Sequence, residues 1–226
     1  MSQIELAVVH SEPLNRQVQK VILKPSAPLR FRAGQYMAVS VEADDCRYYS
    51  IASPEMQSEL IELHIESTNS TQNGLKKLLA HKRARLIKVG GKAILRRESC
   101  APLLLVAGGV GFSYVRSILL SSLSLSPNRE VHVYWVGRNQ SQLYALDELR
   151  ELVKKHSNFK LTTVVKADES DRGVDILTDA LKQQYKTLSD MEVYIAGRFD
   201  TSLVLREQLK SDLGATPKNI ISDAFS

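Results

Sequence analysis

At residues 103–125 the chain reads LLLVAGGVGFSYVRSILLSSLSL, a stretch that contains a complete strand, turn and helix. Leu103–Ala107 is a continuous apolar run, as expected of a strand that is buried on both faces. Glycines follow within residues 108–111, and Phe112–Leu125 has the apolar spacing of a helix. A buried strand joined by a glycine turn to a helix is typical of a parallel sheet covered by helices.

The same alternation of strand and helix continues to the end of the sequence. The predicted strands are Leu103–Ala107, Val131–Val136, Phe159–Val165, Glu192–Ala196 and Asn219–Ser222. The predicted helices are Phe112–Leu125, Ser141–His156, Asp175–Tyr185 and Thr201–Leu213. Repeated β–α units predict an α/β domain over residues 102–226, with a five-stranded parallel sheet and helices on both faces.

Residues 1–98 have a different pattern, with short β-segments marked by alternation and β-branched residues. The candidate strands are Ile4–Val9, Val18–Lys24, Tyr36–Val41, Tyr48–Ala52, Leu60–Glu66, Arg85–Val89 and Lys92–Leu95. The turn residues between them include Pro25, Pro28, Gly34, Asp44-Asp45, Pro54 and Gly90-Gly91. Leucines at helical spacing predict one amphipathic helix near Asn73–Lys82. We therefore expect a closed or nearly closed antiparallel β-barrel, joined to the α/β domain near Glu98–Ala101.

The composition is that of an ordinary globular protein. Of the 226 residues, 43% are hydrophobic and 24% are charged, which provides enough apolar material for two cores. No run approaches the ~20 apolar residues that cross a bilayer, and Met1–Glu5 lacks the pattern of a signal peptide. A cytoplasmic protein without a membrane partner is therefore expected. Two cysteines, Cys46 and Cys100, provide neither a disulfide framework nor the four ligands of an iron–sulfur cluster.

Much of the formal net charge of +5 comes from residues 67–97, a window without an acidic residue. Its basic residues are Lys76, Lys77, Lys82, Arg83, Arg85, Lys88, Lys92, Arg96 and Arg97. Such a window can attract the phosphates of a nucleotide or a nucleic acid, or it can be a solvated face without a partner. The second interpretation is favoured, because the window lacks the aromatic residues that single-strand binders interleave. No nucleic-acid partner is expected.

The glycine turn at residues 107–113 is a candidate phosphate site. Glycines let the backbone approach a phosphate closely, and a helix N-terminus offers free N–H groups and a positive dipole end. The Ser113 hydroxyl can bind a phosphate or cap the helix. The match to a dinucleotide fingerprint is poor, since Tyr114 occupies the third glycine position, so a purely structural turn is the alternative. Arg138 follows the second strand where an acidic residue is expected, and it suits a ribose 2′-phosphate or another phosphate.

The last residues of the chain follow the fifth predicted strand. Ligands of open α/β sheets bind beyond the carboxyl ends of the strands. Asp223 and Phe225 come directly after Ser222, so they are expected at or near that edge. An acid and an aromatic side chain at this place favour a functional role over a frayed terminus.

Several motifs, in order along the chain, resemble the ferredoxin–NADP reductase superfamily. Arg47-Tyr48-Tyr49-Ser50 resembles its Arg-x-Tyr-Ser flavin motif. The segments on either side are similar to the barrel strands of the family: Phe31-Arg32-Ala33-Gly34-Gln35-Tyr36 and Ile61-Glu62-Leu63-His64-Ile65. The glycine loop, Tyr134-Trp135-Val136-Gly137-Arg138, Tyr194-Ile195-Ala196-Gly197-Arg198-Phe199 and Asp223-Ala224-Phe225 complete the set. Their form is close to that of the bacterial NAD(P)H:flavin reductases, a branch that includes the reductases supplying luciferase.

The resemblance implies flavin contacts from two strands: Arg47, Tyr48, Tyr49, Ser50, His64 and Ile65. Arg47 is implied to meet the phosphate or ribityl region, where a charged fork suits an anion. Tyr49 would pack on the isoalloxazine, and Ser50 would hydrogen-bond near N5, the hydride acceptor. His64 would contribute its backbone to the flavin site. From the residues alone, the tyrosines can equally be barrel core, and the His64 side chain is more typical of packing.

The nicotinamide contacts that the resemblance implies are Gly109, Gly111, Phe112, Ser113, Arg138, Arg198 and Phe225. Asp223 would orient the reacting rings or assist proton movement, which makes Ser50 and Asp223 the candidate catalytic residues. The implied reaction is hydride transfer from C4 of NADH or NADPH to flavin N5. The protein then has to hold the two reacting atoms ~3–3.5 Å apart.

FMN, FAD or riboflavin is expected to be an exchangeable substrate, because no insertion for gripping the AMP half of FAD is evident. The reduced flavin would serve an acceptor such as a luciferase, another flavin-dependent monooxygenase or a ferric complex. Tyr48 departs from the proline common in this branch, which leaves substrate preference open. The alternative is an FAD-containing subunit that passes electrons to an iron–sulfur protein, which two isolated cysteines disfavour.

Overall fold

The computed structural model describes residues 4–42, 45–68, 71–166 and 173–225. Asp44, part of one predicted turn, and the terminal Ser226 lie outside these ranges. Within them, the first part of the chain forms an antiparallel sheet of six strands and one α-helix. The strands are β1 (Glu5–Pro13), β2 (Val18–Pro25), β3 (Tyr36–Ser40), β4 (Cys46–Ser50), β5 (Ile61–Glu66) and β6 (Arg83–Gly90). The helix α1 (Gln72–His81) precedes β6.

The sheet curls so that its two edges meet. The strand order is β4-β3-β6-β1-β2-β5, which places β4 and β5 at opposite edges. Ile51, directly after β4, forms an antiparallel bridge with Leu63 of β5. The Ala52 amide donates to the Glu62 carbonyl oxygen at 2.9 Å in the same place. The result is a nearly closed barrel, as predicted, and residues such as Leu6, Val21, Met37, Ile61 and Ile65 fill its interior.

The α/β part begins at Leu103 and has all five predicted strands. They are β7 (Leu103–Gly108), β8 (Val131–Gly137), β9 (Phe159–Val165), β10 (Glu192–Ala196) and β11 (Ile220–Ile221). The helices are α2 (Phe112–Leu125), α3 (Leu146–Lys155), α4 (Gly173–Gln184) and α5 (Phe199–Leu213). All neighbouring strands are parallel, in the order β11-β10-β7-β8-β9.

The central strand β7 is buried on both faces, because helices cover both sides of the sheet. Leu103 and Leu105 belong to a core with α2 and α3, whereas Leu104 and Val106 belong to a core with α4 and α5. This arrangement confirms the interpretation of the apolar run. Among the described residues, no helix has the length and apolar character needed to span a membrane.

Two predicted elements differ from the structure. Lys92–Leu95 was expected to be a strand but joins no sheet. Its amides are satisfied elsewhere, by Asp223 and by the Ala33 carbonyl oxygen, while Ala93 and Leu95 pack into the core of the α/β part.

The second difference concerns the predicted helix Ser141–His156. It is a short 3₁₀ turn at Gln140–Gln142 followed by α3, which starts only at Leu146. The acids Asp147 and Glu148 occupy the first turn of α3, where they complement the helix dipole. The late start leaves Tyr144 outside the helix.

One face of α2 docks on the barrel. Tyr114 donates its hydroxyl hydrogen to the Ala93 carbonyl oxygen at 2.7 Å, and Ser117 donates to the Ser53 carbonyl oxygen at 2.7 Å. Ser121 accepts from the Glu55 amide at 3.0 Å. These three residues are three and four positions apart, so they form one stripe of the helix. Since α2 follows the glycine turn directly, this stripe also positions that turn relative to the barrel.

Candidate active site

The glycine turn lies where the order of the parallel strands reverses. β7 comes first in this part of the chain, and β8 and β10 pair with it on opposite sides. Ligands of open α/β sheets usually bind in the crevice beyond the carboxyl ends of such strands, which here are the ends of β7 and β10.

Gly109 and Gly111 are required for different reasons. Gly109 has φ of +53°, a left-handed conformation, and a Cβ there would meet nothing within 4 Å. A Cβ on Gly111 would lie 2.6 Å from the Ala196 carbonyl oxygen at the end of β10. Gly111 thus lets two strand ends approach, while the space beside Gly109 is open. This combination fits the phosphate of a nucleotide at the N-terminus of α2.

The next two side chains of the loop point inwards. Phe112 is fully buried and stacks on Trp135, with ring centroids 4.0 Å apart. The Ser113 hydroxyl donates to the Val110 carbonyl oxygen at 3.0 Å and is buried. The Ser113 hydroxyl was expected either to bind a phosphate or to cap the helix. Its hydrogen bond directs it into the turn rather than toward the open space beside Gly109.

The two candidate arginines follow the two strands that lie on either side of β7. Arg138 follows β8 and Arg198 follows β10, and both are exposed. Arg198 pairs with Asp200 at 2.7 Å. Phe199, next to Arg198, is 63% exposed, which is unusual for a large aromatic side chain. Two exposed arginines and one exposed ring therefore follow the strands on either side of β7.

Strand β4 carries the flavin motif and lies at one edge of the six-stranded sheet. Ser50 is opposite Tyr36 on β3, and Tyr36 is opposite Gly90 on β6. Tyr36 lies flat over this glycine, since a Cβ on Gly90 would be 2.9 Å from the Tyr36 hydroxyl. Sequence reasoning gave Tyr36 no role; its position opposite Ser50 in adjacent strands was the available signal.

The two motif tyrosines have different surroundings. Tyr48 is 60% exposed and meets Tyr36 edge to face, with ring centroids 5.6 Å apart, so it is not barrel core. Tyr49 is half-buried against the barrel core, and burial raises the pKa of its hydroxyl.

Arg47 lies against the first turn of α1. Its Nε is 2.6 Å from Asp45 Oδ1, and a Cβ on Gly74 would be 3.2 Å from the same nitrogen. A guanidinium beside a helix N-terminus is a suitable surrounding for an anionic group.

Asp223 connects the end of the chain to the barrel. Its Oδ1 accepts from the amides of Lys92 and Ala93, each at 3.2 Å. A Cβ on Gly91 would lie 3.1 Å from Asp223 Oδ2 and 3.3 Å from the Tyr36 ring. Asp223 therefore lies near Tyr36, whose strand partner is Ser50, and the structure brings the two candidate catalytic residues to one side of the barrel. Phe225 instead packs under the Arg206 guanidinium at 4.8 Å.

The side chain of His64 is buried on β5 and bonds to Glu62 and Tyr144. Ile65, next to it, is buried in the barrel core. Sequence reasoning missed Tyr144 and Arg116, which lie in the same cluster. The available signal for Arg116 was a lone charge within the otherwise apolar and serine-rich α2.

The fold and the crevice define a class of protein. A barrel beside a parallel sheet with a glycine loop at the point of strand reversal is the arrangement of the reductases related to ferredoxin–NADP reductase. Residues 105–201 match the family model described as an oxidoreductase NAD-binding domain. The crystal structure of an Amycolatopsis cytochrome P450 reductase superposes with a TM-score of 0.84 at 23% identity, covering 98% of this chain and 69% of that one. These likenesses confirm the fold.

Relatives of the same length identify the family. The NAD(P)H-flavin reductase of Aliivibrio fischeri is 35% identical over 99% of this chain and 98% of its own length. The NAD(P)H-flavin reductase of Vibrio harveyi is 34% identical, with the same coverage of both chains. The chain belongs to the NAD(P)H-flavin reductase family, so the resemblance and the prediction of an oxidoreductase that uses NAD(P)H and flavin are confirmed.

Proposed function

We propose that this protein reduces a freely exchanging flavin with NADH or NADPH, in the crevice between the glycine turn and strand β4. The proposal is supported by the open space beside Gly109, in a chain of this family. It is also supported by Asp223, which bonds to residues 92 and 93 and lies near Tyr36, the strand partner of Ser50. A reduced nicotinamide supplies a hydride at C4, and an oxidised flavin accepts it at N5. The task of the chain is to hold the two rings together.

The nicotinamide nucleotide is proposed to bind through backbone groups of the glycine turn. Gly109 leaves room for a phosphate, and the N-terminus of α2 supplies N–H groups and a positive dipole end. Arg138 and Arg198, exposed after the strands on either side of β7, would add charge for the remaining phosphates. Since Phe112 and Ser113 have inward-facing side chains, we assign them backbone contacts.

The flavin is proposed to bind along β4 and β5. Arg47, at the first turn of α1, would meet the phosphate or ribityl region, and the backbone of His64 and Ile65 would line the ribityl chain. Ser50 would donate a hydrogen bond near N5. Tyr36 joins Tyr48 and Tyr49 as an aromatic contact, because it lies directly beside Ser50.

Asp223 is proposed to orient the reacting rings by fixing the end of the chain against the barrel. Its carboxylate already accepts two amide hydrogen bonds from residues 92 and 93. Residues 1–98 and 102–226 would then be the two domains that meet at the site, with the flavin on the first and the nicotinamide on the second.

Flavin is proposed to be a substrate that leaves after reduction. The chain matches relatives called flavin reductases along nearly their whole length, whereas it covers only 69% of the cytochrome P450 reductase with the same fold. Protein purified without added flavin should be colourless and should bind FMN or riboflavin reversibly, as measured by flavin fluorescence. Stoichiometric flavin that survives extensive dialysis would favour the FAD-containing subunit instead.

We also predict the acceptor of the reduced flavin and the compartment in which the protein acts. A luciferase, another flavin-dependent monooxygenase or a ferric complex in the cytoplasm would each accept a diffusing reduced flavin. Without oxygen, NADH oxidation should stop once the added flavin is reduced. A ferric chelate should then let it continue, and only when flavin is present.

The decisive experiment is NADH and NADPH oxidation at 340 nm, with and without FMN, riboflavin or FAD. We expect oxidation that depends on added flavin and saturates with it. Ser50→Ala should lower kcat/KM for flavin by roughly 5- to 150-fold, the effect of losing one hydrogen bond of ~1–3 kcal/mol. Ser124→Ala, on an exposed position of α2, is the matched control and should behave as wild type. Oxidation without any flavin requirement would overturn the proposal.

A further inference from the structure

A side-chain pair crosses the junction between the barrel and the α/β part, close to the proposed site. Nδ1 of His64, on β5, is 3.0 Å from the hydroxyl of Tyr144, which lies just before α3. Nε2 of His64 is 2.8 Å from Glu62 Oε1. Burial alone would raise the pKa of Glu62, but the hydrogen bond from His64 and the charge of Arg116 keep it below its usual value. Glu62 is therefore an acceptor, so Nε2 carries the proton and Nδ1 accepts from Tyr144.

The barrel side of this pair is held firmly. Arg116 of α2 donates to the Ala52 carbonyl oxygen at 2.9 Å and reaches Glu62 Oε2 at 3.4 Å. Its Nε lies 3.0 Å from both carboxylate oxygens of Glu148. Ala52 follows the Ile51–Leu63 bridge, which is one residue after Ser50. His64 is thus fixed to the segment that carries the proposed flavin contacts.

The other side of the pair leads to the glycine turn. The Tyr144 ring meets the rings of Phe112 and Trp135 edge to face, with centroids 6.0 and 5.1 Å away. Phe112 stacks on Trp135, and the Trp135 indole N–H donates to the Gly109 carbonyl oxygen at 3.0 Å. Two buried rings, those of Phe112 and Trp135, therefore connect the half-buried Tyr144 to the backbone of the proposed phosphate turn.

A ligand site is the other use that such a cluster could have. A cavity of about 340 Å³ lies beside it, bordered by Lys20, Glu62, Arg116 and Glu148. Each of these charges already has an ion-pair partner, since Lys20 pairs with Glu12 and Arg116 with both carboxylates. The geometry therefore favours a holding role over binding.

We propose that His64 and Tyr144 are positioning residues, which set the glycine turn at a fixed place relative to the flavin strand so that hydride transfer becomes fast. The inference rests on the proposed function. A hydrogen bond across the junction restricts how the two rings approach, and misplacement of about 1 Å can lower a rate by up to ~10²-fold. Binding of each substrate uses groups on one side of the junction and depends little on this pair.

The test is Tyr144→Phe, which removes only the hydroxyl, compared with Tyr185→Phe as a matched control. Tyr185 also bonds to a histidine Nδ1, that of His132, at 2.6 Å, but this pair lies within the α/β part. We expect the single-turnover rate of flavin reduction by NADH to fall roughly 5- to 30-fold in Tyr144→Phe, with KM values within about twofold of wild type. Tyr185→Phe should keep the wild-type rate. His64→Gln, alone or combined with Tyr144→Phe, removes the same hydrogen bond. The rates of both variants should therefore be no more than about twofold below the rate of Tyr144→Phe.

The possible results separate the two proposals. Wild-type protein that oxidises no NADH with any flavin would overturn the proposed function and this inference with it. An active wild type with an unchanged Tyr144→Phe rate would overturn the inference alone. A raised KM with an unchanged rate in Tyr144→Phe would also overturn the inference. The same holds if both tyrosine variants lose rate in proportion to a fall in their melting temperatures. An increased isotope effect with 4-deuterated NADH in Tyr144→Phe only would support it.

Discussion

A Cβ on Gly111 would lie 2.6 Å from the Ala196 carbonyl oxygen and 3.0 Å from the Gly197 nitrogen. The end of β10 thus packs directly on the glycine turn, without room for a methyl group. Contacts this short involve backbone atoms, which cannot move aside as a flexible side chain does.

Gly111→Ala should therefore separate the turn from β10 and weaken nicotinamide binding. We expect a loss of about 1–3 kcal/mol in the free energy of unfolding, the usual cost of overpacking, and at least a tenfold rise in KM for NADH. Urea denaturation and initial rates at varied NADH would measure the two effects. Gly173→Ala, where the nearest atoms are at ordinary contact distances, is the control, and equal behaviour of both variants would contradict the explanation.

Asp223 allows the orienting and proton-moving roles to be distinguished. Asp223→Asn keeps an acceptor oxygen for the amides of Lys92 and Ala93, whereas Asp223→Ala removes it. If the residue orients the rings, the rate of flavin reduction should fall about tenfold or more in Asp223→Ala and only slightly in Asp223→Asn. Equal, large losses in both variants would instead indicate that the ionisable carboxyl group itself is needed.

The sequence predicted the elements that depend on local pattern. The helix Phe112–Leu125 and the strands Phe159–Val165 and Glu192–Ala196 have the predicted ends, because their apolar spacing and their flanking turns agree. The predicted strand Lys92–Leu95 failed because its hydrogen-bond partners, Ala33 and Asp223, are distant in the chain. Alternation alone cannot reveal that a segment serves the domain junction rather than a sheet.

The candidate site also combines parts that a local pattern predicts with parts that it does not. Its backbone parts, the glycine turn and the strand of Ser50, could be found from motifs, since each is contained in a few consecutive residues. The inward direction of Phe112 and Ser113, and the link from His64 to Tyr144 across 80 positions, result from tertiary packing. No local pattern encodes them.

Arg129 anchors the segment between the two sheets to the α/β part. It donates to the carbonyl oxygens of Arg96 and Ala101, and its guanidinium pairs with Glu192 at 2.8 Å. Both side chains of the pair are almost fully buried, at 3% and 5% exposure. Arg129→Met would leave a buried carboxylate and two carbonyl oxygens without this partner.

We therefore expect Arg129→Met to lower the free energy of unfolding by about 3–5 kcal/mol, as measured by urea denaturation. The double variant with Glu192→Leu should recover part of the loss, because it removes the unpaired carboxylate. Arg150→Met is the control, since its ion pair with Asp147 is exposed and should contribute less than about 1 kcal/mol. A small effect of Arg129→Met would show that the linking segment is held by other contacts.

His132 should make stability depend on pH. Burial, helped by the charge of Lys160, lowers the pKa of His132 to about 4, while an unfolded chain has the ordinary value of 6.5. Between pH 6.5 and 4 the unfolded state therefore binds a proton that the folded state does not, so stability falls as the pH falls through this window. We expect a loss of about 1–2 kcal/mol between pH 7 and pH 4 for this side chain, which is 8% exposed. Burial also lowers the pKa of His64, so this residue adds to the pH dependence of wild-type stability. The measurement is therefore the difference in urea midpoint between wild type and His132→Gln across this pH range. The variant should be less stable at pH 7, where its bonds to Tyr185 and Thr162 are lost, and the gap should narrow towards pH 4. A gap that is constant with pH would show that His132 has the same pKa in the folded and unfolded states, and would contradict the lowered pKa.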